Sequence, residues 1–252
     1  VTDVEDRTNL QLSATAVSGT ISNIVGTRFK YTPNQYYNGS DIITYTVADT
    51  QNNSSNSAKI TVTMSAVNNT PTASSFNLTI QEDSITTINV RDYIDDIEDG
   101  KLLDLVNVKT TSGISSNIDG TIFTYTPKTD FYGLDTITYS VRDSGGLVTS
   151  ATILMTIESV NDPPSALSFS VNTTEDTSLE IDVRNYVSDI EDNMNLILTV
   201  QNTQGQVTNI VGTHFKYTPV LNSTDTDEIR YTVLDSKNKS ASATITVTVT
   251  SV

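Results

Sequence analysis

Acidic side chains gather at Glu82-Asp83, Asp95 to Asp99, Asp130, Asp135 and Asp143, and again at Glu175-Asp176, Asp189 to Asp192, Asp227 and Asp235. Each group sits between stretches that alternate apolar and polar residues, so these carboxylates belong to loops rather than strands. Oxygen ligands grouped in this way suit a hard divalent cation that takes six to eight of them. Flexible all-oxygen loops favour Ca2+ over Mg2+. The chain has no cysteine and one histidine, His214, which excludes a softer-metal cluster. The competing reading is that the acids are solvated turn residues, since Asp and Asn recur in turns for conformational reasons alone.

Other chemistries fit less well. His214 could serve as a general base, but it aligns with Arg28 and Ile122 in a strand whose flanking Phe and Tyr point inward. That places it on the solvent face. A carboxylate pair could hydrolyse glycosides, yet these acids lie on convex loop ends and recur from copy to copy, whereas an active site is singular and concave. No enzyme is expected. A net charge of −16 argues against nucleic acid as a partner, which needs clustered Lys and Arg. It equally disfavours an anionic membrane surface. No stretch reaches the roughly 18 consecutive apolar residues of a spanning helix. Tyr36, Tyr37, Phe131 and Tyr132 could stack on sugars, which keeps a carbohydrate-binding module as an alternative. Copy three has Leu221-Asn-Ser-Thr-Asp225 in their place, and the aromatics also read as loop side chains packing over the end of a domain.

The elements that position the acids repeat along the chain. Gly26-Thr-Arg-Phe-Lys-Tyr-Thr-Pro33 recurs as Gly120-Thr-Ile-Phe-Thr-Tyr-Thr-Pro127 and as Gly212-Thr-His-Phe-Lys-Tyr-Thr-Pro219. A strand follows each: Ile43 to Asp49, Ile137 to Asp143 and Ile229 to Asp235. Asp3-Val-Glu-Asp6, Asp96-Ile-Glu-Asp99 and Asp189-Ile-Glu-Asp192 match in turn. Three copies are thus predicted at 1–67, 68–160 and 161–252. The first lacks counterparts of the strands around Phe76–Ile80 and Ile85–Val90, so the chain reads as a piece of something longer. Copies two and three carry the charge, with 13 and 12 acidic residues against 5 basic ones each.

Within a copy the apolar period is two. Ala243, Ile245, Val247 and Val249 alternate with threonines, as do Ala151, Ile153, Met155 and Ile157, and Ala58, Ile60, Val62 and Met64. Seven short strands in each full copy predict an all-β, immunoglobulin-like Greek-key sandwich, repeated end to end. No helix longer than a turn is predicted. If successive strands reverse direction, the loop at Glu82 and that at Asp130 to Asp135 lie where the chain leaves copy two. The loops at Asp189 to Asp192 and at Asp235 lie where it enters copy three. Two acidic rims then meet at Val160-Asn-Asp-Pro-Pro164 and repel unless neutralised.

These residues resemble the cadherin-type repeats found in tandem in large bacterial surface adhesins. Gln81-Glu-Asp83 and Thr174-Glu-Asp176 are similar to the early Glu motif of cadherins, and Asp135 to the acid before their sixth strand. Val141-Arg-Asp-Ser-Gly145, Asp96-x-Glu98, Asp189-x-Glu191 and Val160 to Pro164 resemble further ligand motifs of that family. The resemblance implies Ca2+ held at the second linker by Glu82, Asp83, Asp135, Asn161, Asp162, Asp189, Glu191, Asp192 and Asp235. A weaker first linker would use Asp41, Asn68, Asn69, Asp96, Glu98, Asp99 and Asp143, because Asn69 stands where the second linker has Asp162. It further implies an extracellular, cell-surface extender that projects an adhesive tip. Its partners would be neighbouring repeats, with host or surface ligands contacted through other domains.

Overall fold

A computed structural model describes residues 9–202 and 204–252; Asp3, Glu5 and Asp6 lie outside them. Alternating sequences give strands almost throughout, and the helical content among the described residues is two single 3-10 turns, Arg91–Tyr93 and Arg184–Tyr186. The first repeat contributes β1 (Gln11–Thr15), β2 (Gly19–Val25), β3 (Arg28–Pro33), β4 (Gly39–Ala48) and β5 (Ala58–Met64). The second contributes β6 (Thr72–Ala73), β7 (Phe76–Gln81), β8 (Thr86–Asn89), β9 (Ile94–Asp95), β10 (Asp104–Thr110), β11 (Ile114–Asp119), β12 (Ile122–Thr126), β13 (Gly133–Arg142) and β14 (Val148–Glu158). The third repeats this order as β15 (Ser165–Ala166), β16 (Phe169–Thr174), β17 (Leu179–Asp182), β18 (Val187–Ser188), β19 (Ile197–Asn202), β20 (Gln206–Val211), β21 (His214–Thr218), β22 (Asp227–Leu234) and β23 (Ser240–Thr250).

In the second repeat one sheet runs β10-β13-β14-β7 and the other β11-β12-β8. The third repeat matches it with β16-β23-β22-β19 and β17-β21-β20. These are tandem immunoglobulin-like sandwiches, as the period-two pattern and the strand count predict. Strand β7 lies parallel to β14, with Phe76 opposite Ile153 and Gln81 opposite Glu158. Parallel pairing of a first and a seventh strand follows from strict alternation of direction. It puts the β7–β8 loop at the end where the chain leaves the repeat.

Each full sandwich has its own core. Phe123, Tyr125, Ile137, Tyr139, Val141, Ile153 and Met155 fill one, and Phe215, Tyr217, Ile229, Tyr231, Val233, Ile245 and Val247 the other. Two tyrosines tie the cores to their lids: Tyr139 donates to the Ser74 carbonyl at 2.7 Å and Tyr231 to that of Leu167 at 2.6 Å. The first repeat is built differently among the described residues. Its strands form β1-β4-β5 and β2-β3. The alternation of Ala58, Ile60, Val62 and Met64 is in register, but Ile60 is 40% exposed where Ile153 and Ile245 are fully buried. No described strand pairs with the free edge of β5 or of β3.

Candidate metal centre

The second junction collects carboxylates from both neighbours and from the linker. Glu82 follows β7 and lies 2% exposed, held by the Val160 N–H, which donates to its Oε1 at 2.7 Å. Asp162 comes from the linker, and its own N–H donates to Glu191 Oε2 at 3.1 Å. Oxygen atoms of Glu82, Asp162 and Glu191 all lie within 4.8 Å of one another. That span matches a single calcium shell, in which oxygens on opposite sides stand about 4.8 Å apart at twice a bond of about 2.4 Å. A second group, Asp189, Asp192 and Asp235, meets the same limit, and a third joins Asp83, Asp130 and Asp162. Asp162 bridges two of the three groups. Asp130 was a loop acid outside the predicted ligand set. A left-handed backbone, φ 55°, turns it toward the linker, and sequence spacing alone does not carry that direction.

The local backbone aims these acids. Asp189 Oδ1 accepts the N–H groups of Glu191 and Asp192 at 3.0 and 2.7 Å, a turn that leaves its other oxygen free. Asp192 in turn accepts the Ser236 N–H at 2.7 Å, and Asp235 accepts Asn161 Nδ2 at 2.7 Å. Asn161 thus stands at the junction, its amide engaged with Asp235. Lys239, which the sequence did not single out, donates to the Asn161 carbonyl. Burial pushes the Asp235 carboxyl up, but the hydrogen bonds from Asn161, Lys239 and Lys237 hold it below the usual carboxylate range. Glu82 goes the other way. Burial raises it, against the Val160 hydrogen bond and together with repulsion from Asp83, Glu191 and Asp162.

Buried carboxylate oxygens without a hydrogen bond are uncommon in folded proteins. Among the described residues there are five such side-chain atoms, and four are here: Glu82 Oε2, Asp162 Oδ2, Asp189 Oδ2 and Glu191 Oε1. The fifth, Asp96 Oδ2, is at the first junction. Each is an acceptor only, so water or a cation must supply its partner.

The first junction keeps the same scaffold with less charge. Asp96 Oδ1 accepts the Glu98 and Asp99 N–H groups at 2.8 and 2.9 Å, and Asn68 donates to Asp143 at 2.9 Å. Asp99 accepts the Ser144 N–H at 2.7 Å. Asn69 changes the chemistry. Its amide donates to Glu98 Oε1 at 2.6 Å, the counterpart of the oxygen left bare on Glu191. An internal N–H therefore occupies the Glu98 oxygen that an aspartate at position 69 would leave available.

Two predicted ligands lie elsewhere. Asp135 accepts from Thr111 N, Ser112 N and Gly113 N at 3.0 Å each, from Tyr125 Oη at 2.6 Å and from Thr136 N at 2.7 Å, as well as from Thr111 Oγ1. Six donors saturate both oxygens and leave none to face a cation. Burial would raise this carboxyl, but those bonds outweigh it and hold it low. Asp41 is placed alike, accepting from Val17 N at 3.2 Å, Ser18 N at 2.9 Å, Tyr31 Oη at 2.9 Å and Ile42 N at 2.7 Å. In the third repeat Asp227 takes this role with Gly205 N and Tyr217 Oη at 2.7 and 2.9 Å. A Cβ on Gly113 would lie 2.4 Å from the Tyr125 ring, so glycine is what lets the phenol reach its aspartate. The signal was in the sequence as a Tyr-to-Asp spacing of ten residues in all three copies.

The remaining candidates are quickly placed. His214 is a surface side chain whose Nε2 stands 3.0 Å from Asp182, as its position in the strand predicts. Phe131 packs on the core and the Tyr37 hydroxyl donates to the Ser40 carbonyl at 3.0 Å, while Tyr36 and Tyr132 are 54% and 48% exposed. No helix among the described residues is long and apolar enough to cross a membrane.

Solved structures similar to this chain include cadherin ectodomains. Repeats EC21–23 of human CDH23 superpose with a TM-score of 0.59 at 14% identity, over 95% of this chain and 89% of that one. Protocadherin gammaB7 EC3–6 gives 0.54 at 15% identity, over 98% of this chain and 66% of that one. Cadherin domains 1–4 of protocadherin gamma B7 give 0.52 at 11% identity, over 96% and 67%. At such identities the likeness is one of fold. A search of curated protein sequences matched none. The bacterial Ig domain profile matches three times in succession, at residues 1–63, 68–156 and 161–248, and with nearly the whole sequence matched the chain belongs to the bacterial Ig domain family.

Proposed function

We propose that this chain is an extender segment of a secreted, cell-surface adhesin, whose repeats, divided at 1–67, 68–160 and 161–252, are stiffened at their junctions by Ca2+. The observation that carries this is the set of four buried, unpartnered carboxylate oxygens at the second junction. They come from the second repeat, the linker and the third repeat, so one cation would cross-link all three. Glu82, Asp162 and Glu191 would hold one ion and Asp189, Asp192 and Asp235 another, with Asp83 and Asp130 at the outer edge. A bound divalent ion supplies positive charge; the chain's own residues supply the geometry. Without the ion, repulsion between the rims loosens the junction. With it, the rotation of one sandwich about the next is restrained, which is what a projecting spacer requires.

The first junction contributes a weaker site, because the Asn69 amide already engages Glu98. Small-angle scattering of the chain with calcium and with excess chelator tests the reading. A longer, stiffer particle in calcium supports it. Profiles that superimpose in the two conditions would sink it.

A further inference from the structure

The two carboxylate groups of the second junction are not equally bare. Three of its four unpartnered oxygens belong to Glu82, Asp162 and Glu191, and the fourth is Asp189 Oδ2. The neighbours of Asp189 are engaged from inside the chain. Asp235 Oδ1 accepts the Lys237 and Lys239 N–H groups at 2.8 Å each, and its Oδ2 accepts Asn161 Nδ2 at 2.7 Å. Asp192 Oδ2 accepts the Ser236 N–H at 2.7 Å. The same loop carries a positive charge. Lys239 stands four residues past Asp235, where the second repeat has Leu147 past Asp143 and the first has Asn53 past Asp49. Leu147 gives its N–H to Asp143 at 2.8 Å and Asn53 to Asp49 at 2.7 Å, so the backbone turn is shared and only the side chain differs. In the third repeat that side chain reaches across to the linker, where its ammonium donates to the Asn161 carbonyl. A backbone carbonyl is an oxygen of the kind calcium takes, and this one adjoins Asp162. Burial raises the Asp235 carboxyl, while the Asn161 amide, the two backbone N–H groups and the Lys239 charge together hold it low.

Resting on the calcium reading above, we infer that the Lys239 ammonium is a built-in counter-ion of the second junction. It ties the third repeat to the linker without metal and weakens the ion at Asp189, Asp192 and Asp235. Glu82, Asp162 and Glu191, which have the bare oxygens, then fill first. A second ion enters against a like charge and finds the Asn161 carbonyl taken. Lys239 is exposed, so its stem can swing into solvent as that ion binds and return when it leaves. The junction thus exchanges one cation for another, and its response to calcium is graded in two steps.

In the full chain, Lys239→Met keeps the stem and the N–H but loses the charge, and Lys239→Arg keeps the charge. Calorimetric titration with calcium should show two steps in the parent. In K239M the weaker step should tighten about threefold to tenfold, the repulsion of a unit charge on a divalent ion several Å away in a solvated site. That gain should shrink in high salt, the tighter step should not move, and K239R should behave as the parent. The chain has no cysteine, so Thr156→Cys and Thr248→Cys, both at exposed strand positions, allow spin labels to report the distance between the second and third repeats. In excess chelator K239M should broaden that distance distribution and K239R should not. One substitution then loosens the junction without metal and tightens the weaker ion, a pair of signs that lost packing does not give. The inference is overturned if K239M leaves the chelator distribution as narrow as the parent's. It is equally overturned if calcium binds and no step differs between K239M and parent by more than about twofold. If neither protein binds calcium, the calcium reading fails, and the chelator distances alone decide whether Lys239 is a tether.

Discussion

Replacing Asp135 with Asn separates a structural lock from a metal ligand, because only the second role makes the effect depend on calcium. An asparagine keeps the shape of the carboxylate. Its carbonyl can face the larger donor set of Thr111, Ser112 and Thr136. Its NH2 then faces Gly113 N–H and the Tyr125 hydroxyl. The hydroxyl can rotate to accept, but the Gly113 N–H cannot, and a buried donor left unpaired costs about 1–3 kcal/mol. Loss of charge assistance in the remaining bonds adds to this, so a destabilisation of about 2–3 kcal/mol is reasonable for the second repeat. Several sandwiches unfolding in one chain do not make a two-state system, so a local readout is required. Hydrogen exchange of the 111–126 and 133–142 segments supplies one. Exchange there should accelerate roughly 30- to 150-fold, by the same factor in calcium and in chelator. Should D135N leave chelated-state exchange within about threefold of the parent while abolishing the calcium response, Asp135 would be a ligand and the lock would be wrong.

Other outcomes follow from the same geometry. Glu82→Gln should weaken calcium at the second junction at least tenfold by terbium luminescence, since it removes the charge from a buried oxygen with no other partner; unchanged affinity would place the ion elsewhere. Asn69→Asp should strengthen the first junction by about tenfold in the same assay, freeing Glu98 and adding a charge, and an unaltered first site would show that Glu98 is not a ligand. Acid should act on the two groups in opposite senses. Asp135 is held low when folded, so its contribution is present above the ordinary aspartate range and is lost as pH falls through its folded value. Glu82 is held high without metal, so in chelator the folded second junction gains stability as pH falls from above its folded value toward the ordinary glutamate range. Melting curves against pH in chelator, parent against E82Q, should differ in that window and converge below it.

The repeat, the strand identities and the inward rows were legible because alternation is dictated locally: Phe123 and Tyr125 are two apart and must share a face. The end of the sandwich at which each loop lies followed from direction alone. What failed was telling acids that face the junction from acids that face the core. Asp130 and Asp135 are five residues apart in one loop-to-strand stretch, and one joins the linker while the other is closed over by Thr111 and Tyr125. That choice depends on a left-handed turn at Asp130 and on the 111–113 segment folding over Asp135. Neither leaves a periodic trace. The ten-residue Tyr-to-Asp spacing was visible but pointed to a contact only once both residues were known to lie at the same end of adjoining sheets.

The parallel pairing of β7 with β14 has a mechanical consequence. The chain enters the second repeat beside the start of one strand and departs from the finish of the other, so tension between the two ends slides these neighbours along each other. The load then falls in shear across the whole ladder from Phe76–Ile153 to Gln81–Glu158, whose bonds must rupture together instead of peeling one by one. The third repeat, with β16 beside β23, is strung in the same way, so a pull transmitted along the chain meets a shear clamp in each.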